Sequence, residues 1–428
     1  MKFCLFFILS FATVGCLSSC ESDKKASVQT IILINPSSID LKDKAMVVTR
    51  KELIVPAGDL YPLLINQSGD TIPSQMDYLD KDDTWDELFF VLNLSANQTD
   101  TIHLKWLEAA VQYPNRTSVH FGVRQTVNST IKPAYTDTFY ADQLPGVIGY
   151  QHYQTDGPAW ENDKVGFRQY LDGRNSIDVF GKKVPYMTPE DVGIGKDGVT
   201  ENNYSEMKDW GTDILAVANS AGIGGFSLLI NDSLPRLGIT EQDKLNNVDS
   251  TIFNIITEGP VRSMMKFRYI NWKPLGRNYL VEQTTSIWPG TYAYNNSVRF
   301  NNLKGDETMV VGLVNSNTSE KLTEIDVNDQ WVVLFTHDKQ SVNKEWWLGL
   351  ALILPKKDYL GYTEAPKKGR LSTTYLGKLK VVNNKPVNYF AVACWELSDK
   401  GFSDPVYFKK YLVDLVNQLT EVVKLKIE

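Results

Sequence analysis

The chain is expected to be mainly β: a small N-terminal β-sandwich, then a large antiparallel β-supersandwich, with one C-terminal helix. Three observations lead there. Short apolar runs recur between Gly, Asn, Asp and Pro, as in "TIILINPSSIDLKDKAMVVTRKELIV", "DELFFVLNLSANQTDTIHLKW" and "YFAVACWEL", which is the rhythm of strands and turns. No regular strand–helix alternation appears, which disfavours a parallel α/β sheet. A single amphipathic stretch closes the chain, with Asp404 as its cap, Pro405 in its first turn, and Phe408, Leu412, Leu415, Leu419 and Val422 as its apolar stripe.

The elements follow in order. "MKFCLFFILSFATVGCLSSC" has one early cation, Lys2, an apolar run over 3–14 and small residues before Cys20. That is the pattern of a secretory leader, too short to span a bilayer with its flanks. "LSSC" resembles the bacterial lipobox, which implies cleavage after residue 19 and acylation of Cys20. Residues 20–28 then read as a polar tether. Residues 29–108 are assigned to the small sandwich, expected to carry no ligand groups. Residues 109–428 are assigned to the supersandwich with the ligand cleft and the helix, with long loops at 184–212 and 232–250.

Composition narrows the function. The formal charge of the 428 residues is −7, or −8 once Lys2 leaves with the leader. No basic run is present, so nucleic acid is an improbable partner. Beyond residue 20 no apolar run reaches the ~20 residues that cross a bilayer; membrane contact is expected through the lipid alone. Cys394 is the cysteine left in the body of the chain, inside an apolar run, and reads as a core thiol.

Few motifs of known chemistry occur. Gly222, Gly224 and Gly225 in "SAGIGGF" lack the spacing and the following helix of a phosphate loop, so a close backbone approach is the better account. "DKDDTWDE", at 80–87, lacks the glycine and late glutamate of a calcium loop and reads as a solvated hairpin tip. Neither HExxH nor GxSxG occurs. His103 and His337 lie in strand-like runs and read as structural. His120 and Arg124 alternate on one strand face of "SVHFGVRQ", where an imidazole base and a carboxylate clamp would serve one cleft. His152 sits in a turn-rich loop.

The richest stretch is "DGPAWENDKVGFRQYLDGRNSIDVFGK", over 156–182. Read as one strand, Trp160, Asn162, Lys164, Arg168 and Tyr170 share a face, opposite Val165, Phe167 and Leu171. That face offers an aromatic platform, an amide, two cations and a phenol, with Arg174 and Lys182 nearby. Sugars are held by such groups, and uronates add Arg or Lys. Trp160, Asn162, Arg168 and Tyr170 are therefore expected in one concave, partly exposed pocket.

This stretch, with "WGTDILAVANSAGIGGF" from Trp210, "EGPVRS" and "WWLGLALILP", resembles a Bacteroidota family catalogued as domain of unknown function 4861, over roughly residues 30–400. The resemblance implies a lipoprotein or secreted β-sandwich protein, similar to galactose-mutarotase-like sandwiches and associated with glycan breakdown. The chain departs from the expected pattern twice: Tyr204 is followed by Ser205 rather than His, and Asp156 by Gly157 rather than a second acid.

The leading expectation is elimination across a uronate ring, by a lyase or dehydratase. Arg168 or Arg124, with Asn162, would neutralise the carboxylate. His120 or a deprotonated Tyr170 would take the C5 proton, and Tyr204 would protonate the leaving oxygen. Trp160, Arg174, Lys182 and Trp210 would bind substrate. The scheme needs neither metal nor organic cofactor. The ligand would be an anionic oligosaccharide, at the outer membrane on its periplasmic or external face. A glycoside hydrolase would instead need paired carboxylates, for which Glu161 with Asp163, or Asp209 with Asp213, are the offers. A non-catalytic glycan binder would keep the aromatic and Arg groups alone.

Overall fold

The structure, a computed structural model, describes residues 28–80, 82–144, 151–240 and 243–428. The expected leader, Cys20 and the tether up to residue 27 lie outside those residues.

The first sandwich packs a five-stranded sheet on a three-stranded one. Along Gln29–Ile34 the inward positions are Ile31 and Leu33, and along Thr99–Leu107 they are Ile102 and Leu104. They meet Val48, Leu88, Phe90 and Leu94 from the facing sheet, each fully buried side chain contributing about 1.5–3 kcal/mol. The fifth strand comes from the other end of the chain. Lys424–Ile427 pairs antiparallel with Gln29–Ile34, setting Ile427 beside Ile31 and Leu425 beside Leu33.

The larger part is built on a nine-stranded antiparallel sheet. A four-stranded and a five-stranded sheet cover it, and Trp160, Phe167, Leu228, Phe267, Tyr294 and Leu350 belong to the one core between the layers. The two covering sheets meet at a parallel bridge between Ile177 and Gly222. Gly222 has φ +74°, and a Cβ there would stand 1.8 Å from the Ile177 carbonyl oxygen. The glycines of "SAGIGGF" thus serve a close backbone approach. Long connections follow Ile177–Lys182 and Ile223–Ile230, near the places expected.

The helix Pro405–Thr420 starts where Asp404 accepts a hydrogen bond from the Val406 amide. It buries Phe408, Leu412, Leu415 and Val416. The expected stripe ran one residue too far: Val422 lies beyond the helix and is 72% exposed. At the C-terminal end the Lys44 ammonium of the first sandwich donates to the Gln418 and Glu421 carbonyls at 2.6 and 2.7 Å, a cation at the negative pole of the helix. The two parts are also joined by Arg262, whose guanidinium is held between the buried Asp77 and Glu87.

Candidate functional site

The 156–182 stretch is not one strand. Ala159–Asn162 and Val165–Gln169 form a hairpin that sets Trp160 opposite Phe167 and Ala159 opposite Arg168. Directly opposed residues share a face, so the turn at 163–164 inverts the expected parity. Trp160 joins the core, edge-on to Tyr294 with ring centroids 5.4 Å apart. Asn162 is fully buried. It donates to the Trp288 and Thr291 carbonyls and accepts from the Lys164 and Val165 amides, pinning the turn. The predicted common pocket of Trp160, Asn162, Arg168 and Tyr170 therefore does not form.

The opposite face of the five-stranded sheet carries Glu161, Arg168, Asp178 and Lys182 beneath the 183–210 connection. One cluster centres on Glu161. It bonds the Lys182 ammonium, the His120 Nε2 at 2.9 Å, and the Thr188 amide and hydroxyl at 2.8 and 2.6 Å. Burial works to raise the Glu161 pKa, but His120 and Lys182 outweigh it and hold it at about 2. His120 moves the other way: burial lowers its pKa, and Glu161 more than restores it. The space among these groups is about 10 Å³, room for roughly one water. His120 and Lys182 hold a buried ion cluster together; no sugar reaches the proposed base, and Lys182 binds Glu161 and the Asn162 carbonyl instead.

A second cluster centres on Arg168. Its guanidinium donates to Asp178, to Asp213 at 2.8 Å and to the Tyr170 hydroxyl at 2.6 Å. It lies 4.4 Å from the Tyr170 ring and 5.1 Å from the Tyr204 ring. Arg168 is 1% exposed, so it is a buried counter-ion and not the exposed clamp expected. Burial and the neighbouring Asp178 raise Asp213 to about 7. Burial drives the Tyr170 phenol far above its ordinary range, against its expected role as a deprotonated base. Burial pushes Tyr204 up to about 12.

This cluster reaches the surface at Asp156. The Asp156 carboxylate accepts from the Gln151 amide at 3.1 Å and the Tyr204 hydroxyl at 3.4 Å, and lies 4.0 Å from Arg168. Burial raises its pKa, with Asp172 adding to the effect and Arg168 opposing it. Its backbone is left-handed, φ +62°, and the next residue must be glycine. A Cβ on Gly157 would stand 2.0 Å from the Gln169 carbonyl oxygen. A small cleft of about 30 Å³, lined by Gln151, His152, Asp156 and Asp172, opens beside it. Arg174 grips Asp172 through Nε and Nη2 and stacks 3.8 Å from the Tyr170 ring centroid. His152 faces Asp137 at 3.6 Å.

Of the predicted residues, Arg168, Tyr170, Tyr204 and Arg174 converge here. Trp210 packs edge-on to Phe180, centroids 6.1 Å apart. Arg124 is 4% exposed and donates to the Gln151 and Val127 carbonyls, so it fixes the turn that presents Gln151. The carboxylate pairs considered for hydrolysis are separated by their partners. Glu161 belongs to Lys182, Asp163 to Arg116 at 2.7 Å, and Asp213 to Arg168, while Asp209 is exposed. Sequence reasoning missed Asp178 altogether, offered Asp213 only as half of a hydrolytic pair, and named Asp156 only as a position in the family pattern. The first sandwich, expected to carry no ligand groups, has a cleft of about 810 Å³ lined by residues between 49 and 87.

The chain belongs to the family described as domain of unknown function 4861, whose model matches residues 33–425. It is similar to an uncharacterized protein, P7, of Formosa agariphila, 26% identical over 292 residues, which are 64% of this chain and 68% of that protein. Among solved structures, an α-mannosidase from Enterococcus faecalis matches with a TM-score of 0.47 at 10% identity over 93% of this chain. A glycosyl hydrolase family 38 protein from the same organism matches with 0.45, also at 10% identity and over 93%. The match spans less than half of each of those chains, 46% and 47%.

Proposed function

We propose that the protein is a lipid-anchored, carbohydrate-processing enzyme that acts on uronate-containing oligosaccharides by β-elimination, as a lyase or dehydratase. The observation that supports it is the hydrogen bond from Tyr204 to Asp156 beside Arg168 and Arg174. An acid and a base thereby meet beside two cations, as elimination requires; Asp156 lines the cleft, and Tyr204, Arg168 and Arg174 stand behind it.

The roles are revised from the sequence reading. Asp156 takes the C5 proton; its raised pKa makes it a stronger base than an ordinary carboxylate. The electron pair forms the C4–C5 double bond and the C4–O bond breaks. Tyr204, protonated up to about pH 12, gives its proton to the leaving oxygen. Asp156 then returns a proton to Tyr204 along their hydrogen bond, which restores both groups. Arg174, mostly buried beside Asp172, is the guanidinium that meets the substrate carboxylate, and Arg168 holds Tyr170 and Asp213 in place behind it.

The test is a product assay on a panel of uronate oligosaccharides. Elimination yields a conjugated, ultraviolet-absorbing product. A saturated sugar indicates hydrolysis, and binding without turnover indicates a non-catalytic glycan protein; either outcome removes the elimination reading. Anchoring at the outer membrane through an acylated Cys20 is part of the proposal. A Cys20→Ala protein that stays membrane-bound, or an unmodified N-terminus by mass spectrometry, would refute that part.

A further inference from the structure

The cleft of about 810 Å³ in the first sandwich lies between the turn Arg50–Glu52 and the 78–87 connection. Its size is that of a small-molecule site. Side chains brace its described parts: Glu52 accepts from the Thr49 amide and hydroxyl at 2.8 and 2.7 Å, and Asp86 from the Leu79 amide at 2.7 Å.

Arg50 is the unusual group in it. Its guanidinium carbon sits 5.5 Å from the Trp85 ring centroid, and its Nε is shielded from solvent with no hydrogen-bond partner. Among the described residues no carboxylate forms an ion pair with it, although acids border the same cleft. A guanidinium held on an aromatic ring and lacking a counter-ion presents its fork to a planar anion from outside. The acids supply the complementary half. Asp80 and Asp82 each spend one oxygen on a loop amide, at 2.9 and 2.7 Å, and keep the second for hydroxyl donors. Those negative charges repel a polyanion. Leu53, Val55 and Leu79 give the cleft an apolar portion, suited to C–H surface.

The geometry points to a second, non-catalytic binding site for a sugar unit that bears a single carboxylate. The carboxylate meets Arg50, ring hydroxyls donate to Asp80 and Asp82, and the C–H face lies on the apolar portion. The site is independent of the chemistry proposed at Asp156 and stands if that reading fails.

The experiment reads Trp85 directly. The chain has ten tryptophans; with indole ¹⁵N labelling, the Trp85 resonance is identified by its loss in Trp85→Phe. Methyl glucuronoside is titrated into the full mature chain, with methyl glucoside as the uncharged comparison. The expected result is a saturable shift of the Trp85 signal with the glucuronoside and roughly tenfold weaker binding of the glucoside. Arg50→Gln, melting at the wild-type temperature, should lose that shift, and Asp156→Asn should keep it. No saturable shift, equal affinity for the two glycosides, or a shift that survives Arg50→Gln overturns the proposal. A shift lost in Asp156→Asn but kept in Arg50→Gln assigns the sugar to the other cleft and overturns it as well.

Discussion

Arg168 shows how a single residue changes meaning between sequence and structure. In the sequence it stands at even spacing from Trp160, which reads as a shared ligand face; in the fold it is enclosed by Asp178, Asp213 and Tyr170. Arg168→Lys should therefore lose stability, by about 2 kcal/mol, because an ammonium is shorter and loses the planar stacking on the Tyr170 and Tyr204 rings. Denaturant melts check this; an unchanged midpoint would contradict it. Asp213 makes a second prediction. Unfolded, its carboxyl ionises near 3.8, whereas folded it keeps its proton to about 7. Between those values the folded state binds more protons, so this group lowers stability as pH rises through that window. Asp213→Asn should flatten the fall in melting temperature between pH 4 and pH 7 relative to wild type. Glu161 acts in the opposite sense, its contribution being lost as pH falls below its ordinary value of 4.5 toward about 2. The polar residue types of the site were legible, since Arg168, Tyr170, Tyr204 and Arg174 were all named. Their partners were not, because Asp178 and Asp213 reach Arg168 only through strand pairing and a loop return.

At the scale of elements, local patterning was read well and reversals poorly. The cap at Asp404 and the apolar spacing placed the helix, and the glycines at 222–225 marked a close approach. The turn at 163–164 has no glycine or proline; its one local signal is the Asn162–Asp163 pair, and Asn162 makes the turn through its side-chain oxygen. The last strand was invisible for another reason. Lys424–Ile427 is four residues of alternating charge and apolarity, which take a strand form only beside Gln29–Ile34, nearly 400 positions earlier. Removing residues 421–428 should destabilise the first sandwich selectively. Hydrogen exchange should rise along 29–34 and stay unchanged in the 350–354 core; uniform protection along both would contradict the pairing.

For the whole molecule, turn-rich composition and the lack of strand–helix alternation sufficed to foresee two β-sandwich units and a helix. They could not foresee how the units bind one another. That contact joins a small apolar cluster of Phe89, Val91 and Val261 to a buried ion pair. Asp77 has no exposed surface, and Arg262 from the larger part is its counter-ion, with Gln75 accepting from the Val261 and Arg262 amides. Arg262→Leu leaves Asp77 buried without its cation and should cost about 3–5 kcal/mol. Both parts should then unfold at lower denaturant; a transition confined to one of them would show that the contact is not shared.

The proposed elimination rests on removal of a uronate C5 proton by Asp156. Its most direct measurement compares turnover of a uronate oligosaccharide with that of its C5-deuterated form, in wild-type protein and in Asp156→Asn. The expected result is ultraviolet-absorbing product, slower formation from the deuterated substrate, and a loss of about 10²–10⁴-fold in kcat for Asp156→Asn with the melting temperature retained. Equal turnover by wild type and Asp156→Asn, or a saturated product that keeps its C5 deuterium, would contradict it.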